Sequence, residues 1–159
     1  MNVVFMSKVQ EQYREAVENL FFLNPRQNRV RAGIVDALEK FGHPWLEEKD
    51  HSLYLRVGDK EVQTLFAFDD SRASGDPVGV VVFLRMRSSP TEIVIVHMAV
   101  HPDYALRGRR ASEGLGLALI EKVKEIASRI RGVERLVLCY HQGISIQVWN
   151  SKRGSMPAH

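Results

Sequence analysis

Two glycines, Gly114 and Gly116, stand where an apolar run gives way to a helical pattern, and their placement suits phosphate binding. Ile93 to Val100 reads as a buried strand. His101-Pro102, a basic loop and Ala111-Ser112-Glu113-Gly114-Leu115-Gly116 follow, and then a long amphipathic helix. A helix N-terminus offers unpaired N–H groups and the positive end of the macrodipole, and glycine removes the side chain where a diphosphate would approach the backbone. Ser112 is the expected cap of this helix. Arg107, Arg109 and Arg110 fall together just before it and suit a polyanionic small ligand, although a solvated basic loop has the same composition. The plainer reading of the glycine pair is close helix packing. Competing phosphate motifs fit worse. There is no G-x-x-x-x-G-K-[ST], and Gly114-Leu115-Gly116 lacks the third glycine of a dinucleotide fingerprint.

The elements that must position this stretch follow from periodicity. Ser7 with Gln10 matches a capping box, and Val9, Tyr13, Val17 and Leu20 recur at helical spacing, so a first helix is expected to end near Asn24-Pro25. A second helix carries Val30, Ile34, Ala37, Leu38 and Phe41 on one face and stops at Gly42 and Pro44. Ser52 to Val57 and Glu61 to Phe68 are β-rich, and Gly58-Asp59 between them predicts a tight hairpin. Asp69 to Asp76 is a polar loop; Asp69, Asp70 and Asp76 would attract a cationic amine or simply serve turn chemistry. Val78 to Met86 and Ile93 to Val100 are nearly continuous apolar runs, as expected of central strands covered on both faces. The strongest helix has Leu115, Leu119, Val123, Ile126, Ala127 and Ile130 on one stripe and ends at Gly132. Arg135 to His141 then reads as a further buried strand, which makes a right-handed, parallel βαβ unit.

The chain has 159 residues, enough for one domain with a real core, and the whole of 1–159 reads as a single domain. Apolar content of 45% and charged content of 26% are those of a soluble globular protein, and no apolar run has the length of a membrane span. The start lacks the features of a secretory signal, and the single cysteine, Cys139, sits in an apolar run, so a reducing cytoplasm is expected. A net charge of +3 is too modest for a nucleic-acid binder, and no recognition motif for DNA or RNA is present. No metal site is expected.

The order of elements, with His97-Met98-Ala99-Val100-His101-Pro102-Asp103-Tyr104 and Gly114-Leu115-Gly116-Leu117-Ala118-Leu119-Ile120, resembles the GNAT superfamily of acyl-CoA-dependent N-acyltransferases. The resemblance covers roughly residues 78 to 141. It implies a mixed α/β (α+β) fold: a mostly antiparallel central sheet with helices on both faces, two N-terminal helices and one βαβ unit. It also implies acetyl-CoA as co-substrate, transfer of the acetyl group to a primary amine on a small molecule or peptide, and no membrane partner.

The family hallmark is [Gln/Arg]-x-x-Gly-x-[Gly/Ala]. By resemblance the amides of Ser112, Glu113, Gly114, Leu115 and Gly116 hold the pyrophosphate, and Met98 and Val100 lend main-chain groups to the pantetheine arm. Ala111 stands where the family usually has Gln or Arg, and the connection from Pro102 is about six residues longer than usual. Arg107, Arg109 or Arg110 would supply the missing cation. Family members often use a Glu or His of the central strand as base and a tyrosine as acid, which makes Glu92 and His97 the candidate bases and Tyr140 the candidate acid. Each has a plainer reading: a solvated Glu92, a hydrogen-bonded core His97, a packed Tyr140.

Beyond His141 the family carries a helix with Asn and Tyr, then two more strands. Gly143 to Gly154 has roughly that spacing, with Asn150 in the tyrosine's place, and two alternatives are expected beyond it. Either the C-terminus is shortened relative to the family, or the sheet is completed by a partner chain, as in a homodimer. The alternative to an enzyme is a non-catalytic CoA-binding or regulatory module. The acceptor would be selected by the N-terminal helices and the loop Asn24 to Asn28.

Overall fold

The computed structural model describes residues 2–22, 38–105, 107–139 and 144–148. In chain order the elements are β1 (Val3–Met6), β2 (Val9–Gln10), α1 (Arg14–Phe21), β3 (Pro44–Lys49), β4 (Ser52–Val57), β5 (Gln63–Asp69), β6 (Pro77–Arg85), β7 (Glu92–Val100), α2 (Leu115–Ser128), β8 (Arg135–Leu138) and β9 (Ile144–Gln147). They build a six-stranded sheet ordered β1-β5-β6-β7-β8-β9 and a three-stranded sheet ordered β2-β4-β3. Every pairing in the large sheet is antiparallel except β7 with β8, the parallel pair that α2 connects.

The apolar runs explain the layering. From Pro77 to Leu84 every residue of β6 is buried, as a strand covered on both faces must be. One face packs against Leu115, Leu119, Val123 and Ala127 of α2. The other packs against Val17, Leu20 and Phe21 of α1 and against Leu53, Leu55 and Val57 of the small sheet. The mixed sheet with helices on both faces is thus the fold expected. Of the second predicted helix, only residues 38–41 lie among those described; they are helical and stop at Gly42.

Several local expectations are corrected. The first helix does not start at Ser7: Val9 pairs with Leu53 in β2, a short 3-10 turn spans Glu11–Tyr13, and α1 begins only at Arg14. Val9 still reaches the same core as Val17 and Leu20, so the spacing was read correctly for its inward face and wrongly for its backbone. The Gly58-Asp59 turn forms, with the Lys60 amide donating to the Val57 carbonyl at 3.1 Å, but it does not join a β4–β5 hairpin. β4 belongs to the small sheet and β5 to the large one, stacked through Leu55, Val57 and Phe66 instead of paired edge to edge. The hairpin present is β3–β4, turned on Asp50 and His51 with φ of 52° and 62°. β9 is a strand antiparallel to β8, in the segment expected to resemble the family's next helix.

One irregularity matters for the site. Along β6–β7, Val82 pairs with His97 and Phe83 with Ile95, so Val96 is an extra residue in β7. Strict alternation would put Ile93, Ile95, His97 and Ala99 on one face. The bulge re-sorts them: Ile93 and Ile95 face α2, Val94, Val96 and Ala99 face α1, and Met98 and Val100 return to the α2 side.

Candidate active site

The β7–β8 ladder runs only from Glu92–Arg135 to Ile95–Leu138, while β7 continues to Val100. Two parallel strands that part at their carboxyl ends, with a helix starting beside the gap, form the crevice in which α/β sheets bind ligands. The helix N-terminus beside it is α2.

A compact excursion links β7 to α2. The His101 Nδ1 accepts the Asp103 amide at 3.1 Å, the Gly108 amide donates to the Ala105 carbonyl at 2.8 Å, and the Arg110 amide donates to the Asp103 carbonyl at 2.7 Å. Gly108 is required by space: a Cβ there would stand 2.3 Å from the Pro102 carbonyl oxygen. A 3-10 turn, Ala111–Glu113, then delivers the chain to Gly114, which starts α2 in the left-handed region at φ 67°. Ser112 does not cap the helix; it is exposed, and among the described residues no side chain caps α2. The amides of Glu113 and Gly114 turn back onto the Arg110 and Ala111 carbonyls, and the first intrahelical bond runs from Ala118 to Gly114. The amides of Leu115, Gly116 and Leu117 therefore have no backbone acceptor among the described residues. Nothing lies within 4 Å of a Cβ built on Gly114, and one on Gly116 would meet only Met98 Cε, at 3.8 Å. Open space, unpaired N–H groups and a dipole end coincide there, so the residues present fit a diphosphate. Leu117, 63% exposed, joins this set without having been singled out by the motif.

The predicted arginines separate. Arg109 is 86% exposed and reaches Asp103 Oδ2 at 3.3 Å, and Arg107 is exposed with φ 71°. Arg110 turns inward to Asp69, Tyr104, Ser71 and Glu113.

The acid–base candidates separate too. His97 is buried on the α1 side of β7, its ring 5.4 Å from that of Phe21 and edge-on to it. Among the described residues its Nε2 has no hydrogen-bond partner. Burial pushes the imidazole down to about 4, so it is uncharged at neutral pH. Glu92 sits at the other end of β7, where it accepts a 2.7 Å hydrogen bond from Arg135 Nη2. At about 3.3 Å per residue it is some 26 Å along the strand from Val100, so the fold does not bring it to the α2 N-terminus. Tyr140 and the loop Asn24 to Asn28 lie outside the described residues. Met98 and Val100 stand on the α2 face beside Gly116, at the open end of β7.

A separate cleft of about 940 Å³ opens between the start of β5, the end of β6 and the last turns of α2, lined by Lys60, Thr64, Arg85, Arg87, Ile126 and Ile130. It lies at the opposite end of the sheet from Gly114, and size alone does not make it the reaction site. Among the described residues no group of His, Cys, Asp or Glu could hold a metal ion, and no helix is long and apolar enough to cross a membrane.

Comparison with known proteins supplies the class. The acetyltransferase (GNAT) family model matches residues 31–153. Solved structures of similar shape include an acetyltransferase assigned to the GNAT family from Desulfovibrio desulfuricans, 21% identical with a TM-score of 0.47, covering 86% of this chain and 72% of its own. Another is nourseothricin acetyltransferase, 18% identical with a TM-score of 0.43, covering 87% and 73%. A search of curated proteins finds no match. On the family match, the chain belongs to the GNAT acetyltransferase family and is a GNAT-type acyltransferase.

Proposed function

We propose that the protein transfers an acetyl group from acetyl-CoA to a primary amine on a small molecule or peptide. The observation that carries this is the unpartnered first turn of α2, open to solvent at Gly114 and set beside the gap between β7 and β8. Bound acetyl-CoA supplies an acyl group already activated as a thioester. The chain's residues then have three tasks: to hold the carrier, to orient the amine and to manage one proton.

The amides of Leu115, Gly116 and Leu117 donate to the diphosphate, with the exposed Arg109 guanidinium within the same loop as a flanking cation. Met98 and Val100 line the open end of β7 for the pantetheine arm. His97 is the proton acceptor this reading uses. A neutral imidazole has one nitrogen able to accept a hydrogen bond, and the buried Nε2 is uncommitted among the described residues. With its pKa held near 4, it is a weak base toward a free ammonium ion. Its useful moment comes when the amine nitrogen bonds to the carbonyl carbon, becomes positively charged and turns strongly acidic. Until then it orients the amine by accepting a hydrogen bond from it. The proton finally replaces the acyl group on sulfur.

The test is thiol release from acetyl-CoA across aliphatic, aromatic and peptide amines, alongside calorimetry with CoA. Turnover with at least one class supports the proposal, and His97→Gln should then lower kcat more than the KM for acetyl-CoA. Binding of CoA with no turnover on any amine leaves a non-catalytic CoA-binding module, and no heat at millimolar CoA removes both readings.

A further inference from the structure

Asp69 ends β5 with its side chain fully buried, yet it is the most heavily hydrogen-bonded carboxylate described. Its Oδ1 accepts from the Asn2 amide at 3.2 Å, the Ser71 amide at 3.0 Å and the Ser71 hydroxyl at 2.7 Å. Its Oδ2 accepts from the Tyr104 hydroxyl at 2.5 Å and pairs with Arg110 Nη1 at 3.0 Å. Burial alone would raise its pKa, but the bonds from Tyr104 and Ser71 outweigh it and hold the carboxyl well below the usual range.

Arg110 is equally committed. An arginine has five N–H donors. Here Nε faces Glu113 Oε2 at 3.0 Å; Nη1 faces the Tyr104 hydroxyl at 2.9 Å and Asp69; Nη2 faces the Ser71 hydroxyl at 2.8 Å and Glu113 Oε1 at 3.1 Å. The guanidinium also lies 5.2 Å from the centre of the Tyr104 ring. Three hydrogen bonds and two ion-pair contacts hold the guanidinium before any ligand arrives. The backbone ties run in the same direction: Arg110 receives the Glu113 amide, and Glu113 precedes Gly114 directly.

Resting on the proposed CoA reading, we propose that Asp69 and Arg110 are positioning residues: through Tyr104 and Glu113 they hold the 111–117 backbone with its amides toward the diphosphate, and Arg110 does not itself contact phosphate. The motif alone suggests the opposite role for Arg110, as the cation missing at Ala111. The two roles differ in sign. If Arg110 is the phosphate's cation, loss of Asp69 frees it and CoA binds as well or better. If Arg110 positions the loop, loss of Asp69 weakens CoA.

The experiment measures CoA by calorimetry and pantetheine, which lacks the diphosphate, by NMR titration, on wild type, Asp69→Asn, Arg110→Lys and Tyr104→Phe. Arg110→Lys and Tyr104→Phe keep the charge balance of the cluster and serve if Asp69→Asn fails to fold; retained cooperative melting identifies usable variants. The expected result is CoA affinity lower by about ten- to a hundredfold, the usual cost of loosening the layer behind a ligand-binding group, with pantetheine affinity unchanged. Unchanged or tighter CoA binding in the folded variants overturns the inference. An equal loss for both ligands overturns it too, since that marks general damage to the fold. A wild type that does not bind CoA at all refutes the CoA reading, an outcome distinct from either.

Discussion

Gly114 offers the sharpest separation of ligand binding from stability. Its φ of 67° favours glycine whatever binds nearby, while the direction a Cβ would take is empty for 4 Å. Packing therefore does not demand glycine; backbone conformation does, and so would a diphosphate. A non-glycine residue in this conformation costs about 1–2 kcal/mol, and asparagine tolerates it better than alanine. Gly114→Ala should lower the melting temperature by roughly 2–8 °C for a chain of this length, and Gly114→Asn by less. Both place a Cβ where the diphosphate would lie. Intrusion into an occupied contact costs about 1–3 kcal/mol, so CoA affinity should fall by about 5- to 150-fold in both. Gly116→Ala is the control. Its Cβ would meet Met98 Cε at an ordinary 3.8 Å, and alanine is the better helix former by about 1 kcal/mol, so stability should rise. Denaturant unfolding and calorimetry with CoA read the two quantities separately. If Gly114→Asn binds CoA like wild type, or if affinity merely tracks stability across the three variants, the diphosphate is not at Gly114 and the reasoning fails.

Three further outcomes are expected. His97 resists protonation when folded, so between pH about 6.5 and 4 the unfolded chain binds a proton that the folded chain refuses; stability should fall by up to about 3 kcal/mol as the pH drops through that window and level off below it. Unfolding curves at pH 7.5 and 4.5 should show a smaller drop for His97→Gln than for wild type, and an identical drop would mean that the imidazole is not desolvated. In the β3–β4 turn, the double change Asp50→Asn with His51→Gly relieves two positive-φ residues and should add about 1 kcal/mol, less the small worth of the exposed His51–Glu11 contact at 3.2 Å; unchanged denaturant midpoints would refute it. Leu119→Ala, fully buried between α2 and Gly79 of β6, should cost about 2–5 kcal/mol in urea unfolding, and a cost under 1 kcal/mol would mean that the helix does not pack as described.

The parts legible in the sequence are those where one short-range signal decides the structure. Val78 to Leu84 and Ile93 to Val100 are too apolar to be anything but covered strands, and the Leu115–Leu119–Val123–Ala127 stripe needs a helix. β1 and β9 are four residues each, and β3 carries Glu47, Glu48 and Lys49, so none has a run long or apolar enough to stand out. The β4–β5 hairpin was misread because alternation fixes which face is buried, not which strand is the neighbour. The open glycine turn at the start of α2 was visible for the same local reason as α2. The Asp69–Tyr104–Arg110 cluster was not: Asp69 and Tyr104 are 35 positions apart, and Asp69-Asp70 carries the composition of an ordinary turn. The only hint was an acid directly following the apolar stretch Leu65 to Phe68.

The extra residue at Val96 makes β7 a strand whose length is part of its chemistry. Upstream of it the two faces follow one parity, and downstream the other; Met98 and Val100 reach the α2 side only because of that change of step. Deleting Val96 would straighten the strand into strict alternation and leave both rows in place, with His97 still toward Phe21 and Met98 still toward α2. Single substitutions along the strand can be absorbed by repacking, whereas losing one residue from the regular stretch after the bulge turns every later side chain to the other face.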